Sequence, residues 1–239
     1  MKILVDASPN FSRKTRLNKD IEFVIIHYTG MQSEIASLKK LKNNKSKVSC
    51  HYLINRKGTV FQLVKDHKIA WHAGISKWKN CDNLNKNSIG IELVNKGHDF
   101  GYQNFSKPQI KNLISLCKIL KKKYIIKKEN FLGHSDIAPK RKIDPGEKFP
   151  WKKLSKYHLG IWYENTKNDK LNFIGRKKIR NLFMKNLHKI GYRYFTLNKK
   201  SNSEKLIVKA FQRKYLPQKI TGKIDKKMLQ ISHFLASKY

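Results

Sequence analysis

The sequence predicts an α/β fold: a mixed central β-sheet flanked by helices, followed by a small three-helix C-terminal domain. Three observations carry this. Short apolar, β-rich runs occur at residues 21–27, 50–54, 59–64 and 89–94. Residues 33–41 and 106–124 place apolar side chains at helical spacing. Beyond Trp151 the texture changes and three helical patterns follow one another.

Residues 21–27 (Ile-Glu-Phe-Val-Ile-Ile-His) read as a buried strand ending in His27. Ile35, Leu38 and Leu41 then mark a helix, with Ser33 as its N-cap. The runs 50–54 and 59–64 flank Asn55-Arg56-Lys57-Gly58, a β-hairpin signal in which Gly58 is free to take positive φ. Residues 66–87 are expected to form a long, mostly irregular loop containing Trp71-His72-Ala73-Gly74, and loops of that length are usually functional. The run 89–94 reads as a central strand carrying Glu92. Ser106-Lys107-Pro108 opens a helix to about Tyr124, with Ile110, Leu113, Ile114, Leu116, Cys117 and Leu120 on one face. Residues 130–134 form a short strand, and 135–150 a proline-containing loop. The polar stretch 164–170 has no apolar period and reads as a linker between units 1–163 and 171–239. Helices are expected at about 173–190, 204–215 and 225–237.

The 239-residue chain has a formal net charge of +37. That charge suggests a nucleic-acid binder. The positive residues are scattered along the whole chain, however, and lysine far outnumbers arginine, so nucleic acid is not expected as the main partner. Cys50, Cys81 and Cys117 are odd in number and form no CxxC pair, which fits a reducing compartment. The apolar run after Met1-Lys2 is too short for a secretory signal, and no run approaches membrane-spanning length. The expected compartment is the cytoplasm, with the periplasm or cell envelope, by an unrecognised export route, as the alternative. No oligomeric state is implied.

The chemistry lies in widely separated residues. His27 ends a strand, and Gly133-His134 is followed ten residues later by Asp144. Two imidazoles and a carboxylate beside predicted strand ends are the donor set of a catalytic zinc, whose fourth position stays open to water. Glu92 near that water would act as general base. Taken singly, each residue has a plainer reading. His27 or His134 would be a buried, hydrogen-bonded histidine, and Asp144, before Pro145-Gly146, a turn former.

The surrounding motifs go further. Ile-His-Tyr-Thr-Gly (26–30), His-Tyr-Leu-Ile (51–54), Trp-His-Ala-Gly (71–74), Ser-Ile-Gly-Ile-Glu (88–92), Gly-His-Ser-Asp-Ile-Ala-Pro (133–139) and Arg-Lys-Ile-Asp-Pro-Gly (141–146) occur in this order. Together they resemble the zinc-dependent type 2 N-acetylmuramoyl-L-alanine amidases, whose fold the peptidoglycan-recognition proteins share, over roughly residues 3–163. The resemblance implies that His27, His134 and Asp144 hold Zn2+, that Glu92 is the catalytic acid/base and that Lys142 assists it. It also implies hydrolysis of the amide between N-acetylmuramic or anhydro-muramic acid and L-alanine, in peptidoglycan or muropeptides, for cell-wall turnover or recycling. The alternative is a non-catalytic muropeptide-recognition protein. Tyr28, Trp71 and Arg141 are candidate substrate contacts, and His51 and His72 either line the cleft or pack beneath it. Ile207–Arg213 and Thr221–Asp225 resemble a helical peptidoglycan-binding domain. Read more simply, this part is a helical appendage with Leu206 and Phe211 in its core.

Overall fold

A computed structural model describes residues 1–164, 175–197 and 200–239 of the chain. In chain order the elements are β1 (Ile3–Val5), β2 (Phe11–Thr15), β3 (Phe23–Tyr28), α1 (Glu34–Lys42), β4 (Tyr52–Ile54), β5 (Val60–Gln62), β6 (Lys68–Ala70), β7 (Lys77–Trp78), β8 (Cys81–Asp82), β9 (Ser88–Leu93), α2 (Lys107–Tyr124), β10 (Phe131–Gly133), α3 (His134–Ile137), α4 (Trp151–Ser155), α5 (Arg176–Ile190), α6 (Glu204–Tyr215) and α7 (Lys226–Ala236).

Six strands form one sheet in the order β1-β5-β4-β9-β3-β10. The β4–β5 hairpin is antiparallel and the other neighbours run parallel, so the sheet is mixed. Strands β3 and β9 read as apolar runs because both of their faces are covered. Val24, Ile26, Ile89 and Ile91 pack against Ile110, Leu113, Cys117 and Leu120 of α2. Phe23 and Ile25 point the other way, toward the C-terminal helices. Local signals set the helix starts. The Ser33 side chain accepts the Ala36 N–H at 3.1 Å, and Ser106 caps α2 with Pro108 in the first turn. Gly58 takes φ +89° in the β4–β5 turn, a conformation that side chains with a Cβ rarely adopt.

Several expectations needed correction, among them the strand at 130–134 and the loop at 135–150: the strand stops at Gly133, and His134 opens the short helix α3 (His134–Ile137). The stretch 66–87 is more ordered than expected: it contains β6, β7, β8 and a 3-10 turn at Leu84–Asn87. Its strands are only two or three residues long, too short to show a period of two. Strands β1 and β2 went unread because their side chains are mostly exposed and pairing partners, not patterning, make them strands. Leu206 is 40% exposed, whereas Phe211 is fully buried, because only one stripe of α6 faces its neighbours.

Helices α5–α7 pack together around Phe183, Leu187, Phe211, Met228 and Leu235. The same cluster takes in Phe23, Ile25, Leu132 and Ile137, so these helices share a core with the sheet. Trp78 packs edge-on to Tyr192 at 4.9 Å. A buried polar knot crosses the seam. Lys214 Nζ donates to Asp136 Oδ2 at 2.6 Å, the Tyr192 hydroxyl to Asp136 Oδ1 at 2.7 Å, and the Gly133 N–H to Oδ2 at 2.8 Å. The Lys214 ammonium also lies 4.2 Å from the centre of the Trp151 ring. Of the expected linker, residues 165–170 fall outside the described residues, as do 173 and 174 of the expected first C-terminal helix.

Removing one partner of a buried ion pair leaves an uncompensated charge, at a cost of about 3–5 kcal/mol. Lys214→Met should therefore lower unfolding free energy in urea by about that much. A loss of less than about 1 kcal/mol would mean that the knot contributes little to holding the helices.

Candidate active site

Strands β3, β9 and β10 lie side by side and parallel, so their carboxyl ends meet at one rim. Chain segments leave a parallel sheet at that rim, which makes it the usual place for ligands. Register sets His27 opposite Glu92, and Gly133 opposite Ile26. His134 therefore starts α3 next to His27. Asp144 enters from the following loop, whose backbone is fixed by a 2.9 Å bond from the Ser135 N–H to Asp144 O.

The three side chains converge. His27 Nδ1 and His134 Nδ1 are 3.0 Å apart, and each lies 3.1 Å from Asp144 Oδ2. All three residues are buried, at 1%, 3% and 6% exposure. Burial and the neighbouring His134 push His27 down to about 4, against the pull of Asp144, so it is neutral at physiological pH. Burial works to raise the Asp144 carboxyl, but the neighbouring His134, and then His27, hold it well below the usual carboxylate range.

This donor set fits a divalent ion. His134 Nε2 lies 3.1 Å from the Ala73 carbonyl, which can only accept, so in the neutral ring Nδ1 is the lone pair facing Asp144. A lone pair set against a carboxylate oxygen is repulsive unless a proton or cation lies between them. Tetrahedral zinc bonds of about 2.0–2.2 Å would set ligand atoms about 3.3–3.6 Å apart, a few tenths of an ångström wider than the 3.0–3.1 Å found.

Above the triad lies a cleft of about 430 Å³ lined by Tyr28, Trp71, Glu92, Arg141 and Lys142 among others. Glu92 is half-buried, and its Oε2 is buried with no hydrogen-bond partner among the described residues. Burial, and then Asp144, push its carboxyl up to about 8, while Lys142 and Lys40 oppose the rise.

A family model described as N-acetylmuramoyl-L-alanine amidase matches residues 17–147, a span that includes the triad, Glu92 and Lys142. The chain belongs to this amidase family. N-acetylmuramoyl-L-alanine amidase AmiD of Escherichia coli (strain K12) is 34% identical over 238 residues, covering 92% of this chain and 83% of AmiD. A solved complex of E. coli AmiD with anhydro-N-acetylmuramic acid-L-Ala-D-gamma-Glu-L-Lys matches with TM-score 0.79 and 31% identity, over 95% of this chain and 92% of that one. AmpDh3 from Pseudomonas aeruginosa, in complex with an anhydromuramic pentapeptide, matches with TM-score 0.82 and 30% identity over 97% of both chains. Coverage this wide reaches past the family model, so the amidase shares its C-terminal helices with both.

The other expected contacts divide. Tyr28 and Trp71 line the cleft of the amidase. His72 also borders it, but its ring packs beneath His27, with Nδ1 3.1 Å from His27 Nε2. His51 is fully buried and outside the cleft lining: its Nδ1 accepts the Gly90 N–H at 3.0 Å, and its Nε2 faces Arg16 and the Lys68 carbonyl. Arg141 lines the cleft, yet its guanidinium donates to the carbonyls of Ala73 and Ile75. The Lys142 ammonium has no hydrogen bond or ion pair among the described residues.

Sequence reasoning missed two groups. Ser37, Lys40 and Leu41 line the cleft from one face of α1, a stripe visible in their i, i+3, i+4 spacing. His98 gave no signal at all. Its Nδ1 lies 2.9 Å from the Tyr28 hydroxyl and its Nε2 3.2 Å from Glu147.

A carboxyl whose folded pKa lies near 8 rather than at 4.5 binds more protons folded than unfolded between those values. Stability therefore falls as pH rises through that window. In protein stripped with a chelator, Glu92→Gln should remove this fall and raise Tm at pH 8 relative to wild type. Parallel Tm profiles from pH 5 to 8 would contradict the burial of this carboxylate.

Proposed function

We propose that the amidase is a zinc enzyme that cleaves the amide between the lactyl carbonyl of N-acetylmuramic acid, ordinary or 1,6-anhydro, and the L-alanine of a stem peptide, in cell-wall turnover or recycling. The observation that carries this is the meeting of His27, His134 and Asp144 in one cleft with Glu92 directly across the sheet from His27. The bound molecules named for the AmiD and AmpDh3 complexes, both anhydromuramic peptides, support that substrate class.

A zinc ion held by His27, His134 and Asp144 supplies Lewis acidity, activating water at neutral pH. Glu92, with its pKa raised toward the working range, accepts the proton of the attacking water. It then delivers that proton to the L-alanine nitrogen as the carbon–nitrogen bond breaks. The ammonium of Lys142, on the cleft wall with no hydrogen bond or ion pair among the described residues, stabilises the charge that develops on the carbonyl oxygen. A protein that only recognised muropeptides would need neither a proton carrier nor an oxyanion partner beside the metal ligands, so the catalytic reading is favoured.

Mass spectrometry of defined muropeptides reads the assignment directly. Glu92→Gln should retain stoichiometric zinc and lose about 10²–10⁴-fold in kcat. His134→Ala should lose both metal and cleavage. Wild-type turnover in either variant would remove the role assigned to the residue it replaces.

We propose the cytoplasm as the compartment, because Cys50, Cys81 and Cys117 are all free thiols. No helix among the described residues is long and apolar enough to cross a membrane. A wall-binding role for the C-terminal helices would instead require contact with intact peptidoglycan. Cell fractionation with an antibody to the C-terminus distinguishes these. A cytoplasmic signal supports recycling of soluble fragments, and a purely envelope signal overturns the compartment and favours wall binding.

A further inference from the structure

We infer that the dipeptide His72-Ala73 is a two-handed clamp that fixes the ring hydrogens of both metal-facing histidines, so that His72 is a positioning residue rather than a substrate contact. The inference rests on the metal reading of the triad.

Hydrogen positions are set from the edge of the network inward. The Ser88 hydroxyl donates to the Leu84 carbonyl. Its oxygen is then left to accept from His72 Nε2, 3.3 Å away. A neutral imidazole carries a single N–H, so His72 Nδ1 is bare. It accepts from His27 Nε2 at 3.1 Å. That places the one hydrogen of His27 on Nε2 and leaves Nδ1 as a lone pair directed at Asp144 and His134. The neighbouring residue does the same for the second ligand, since the Ala73 carbonyl receives the His134 Nε2–H at 3.1 Å. One stretch of two residues thus sets the tautomer and ring angle of both histidines, by a side chain in one case and the main chain in the other.

The clamp is itself held. Asn85 Oδ1 accepts the backbone N–H of His72 at 3.0 Å and that of Ala73 at 2.7 Å. Gly90, on β9, supplies the space: a Cβ there would lie 2.3–2.6 Å from three atoms of the His72 ring. At 8% exposure, His72 has little surface to offer a substrate. Ser88 and Gly90 of the Ser-Ile-Gly-Ile-Glu motif and the His-Ala pair of Trp-His-Ala-Gly thereby acquire one common purpose.

Zinc affinity, measured by competition with a chromophoric chelator, tests the clamp without reference to turnover. His72→Leu should weaken zinc binding by about 10–100-fold. His72→Asn, which keeps an acceptor near the position of Nδ1, should recover most of that loss. Ser88→Ala, a smaller change that frees the His72 tautomer, should weaken binding in the same direction and stands in if His72→Leu does not fold. Long-range proton–nitrogen NMR spectra should show the Nε2–H form at His27, His72 and His134 in wild type. Unchanged zinc affinity in His72→Leu with a raised KM would overturn the clamp in favour of substrate contact. Equal losses in His72→Leu and His72→Asn would reduce His72 to a packing role. Failure of wild-type protein to bind zinc would instead remove the metal reading on which the clamp rests.

Discussion

Everything at the catalytic rim depends on two imidazole nitrogens and one carboxylate oxygen being held about 3 Å apart and facing one another. No unsupported chain would adopt that arrangement, because the donors repel and burial penalises the charge. Rigid elements impose it. Strands β3 and β10 are locked in parallel register, so His27 and His134 leave the sheet at the same level. Asp144 follows on a loop tied to α3. A second ladder on β3, the one with β9, sets Glu92 opposite His27, so the proposed proton carrier and two of the three proposed metal ligands are placed by two ladders that share one strand.

The sheet's two faces serve different ends. One is closed by α2 with an ordinary aliphatic stripe. The other faces β7, the 71–85 segment and α5–α7, and it is here that the histidine network and the Lys214–Asp136 knot lie. Asp136 sits two residues past His134 and also accepts the Gly133 N–H, so the C-terminal helices are anchored on the turn that presents a metal ligand. Despite their separate texture in sequence, these helices form part of the support for the active site. Their presence in AmiD and AmpDh3 over nearly whole chains fits that role.

Electrostatics sharpen the picture. A net charge of +37 would draw anionic stem peptides to the surface as a whole, while the cleft sets Lys40, Arg141 and Lys142 beside the carboxyl groups of Glu92, Asp99 and Asp144. Yet the cations are not equivalent. Arg141 is tied to loop carbonyls, whereas the Lys142 ammonium has no hydrogen bond or ion pair among the described residues. The ammonium of Lys142 thus has its donors uncommitted, whereas part of the Arg141 fork is already engaged by the main chain.

Much of this was legible in the residues themselves. The caps at Ser33 and Ser106, the hairpin at Gly58 and the spans of α5–α7 follow from local chemistry, which needs no distant partner. The order of short motifs likewise pointed to His27, Glu92, His134, Lys142 and Asp144. Strands β1 and β2 were not legible, because exposed segments become strands only when another segment offers its edge. Nor were the roles of His51, His72, Arg141 and His98. A histidine or arginine carries the same chemistry whether it faces a cleft, a ring or a carbonyl, and the difference lies in which groups the fold sets within 3 Å of it. Sequence alone determined which donors the protein possesses and where its longer helices begin; the tertiary structure decided which of those donors share a point in space, because convergence over a hundred residues is a property of strand register and packing rather than of any local pattern.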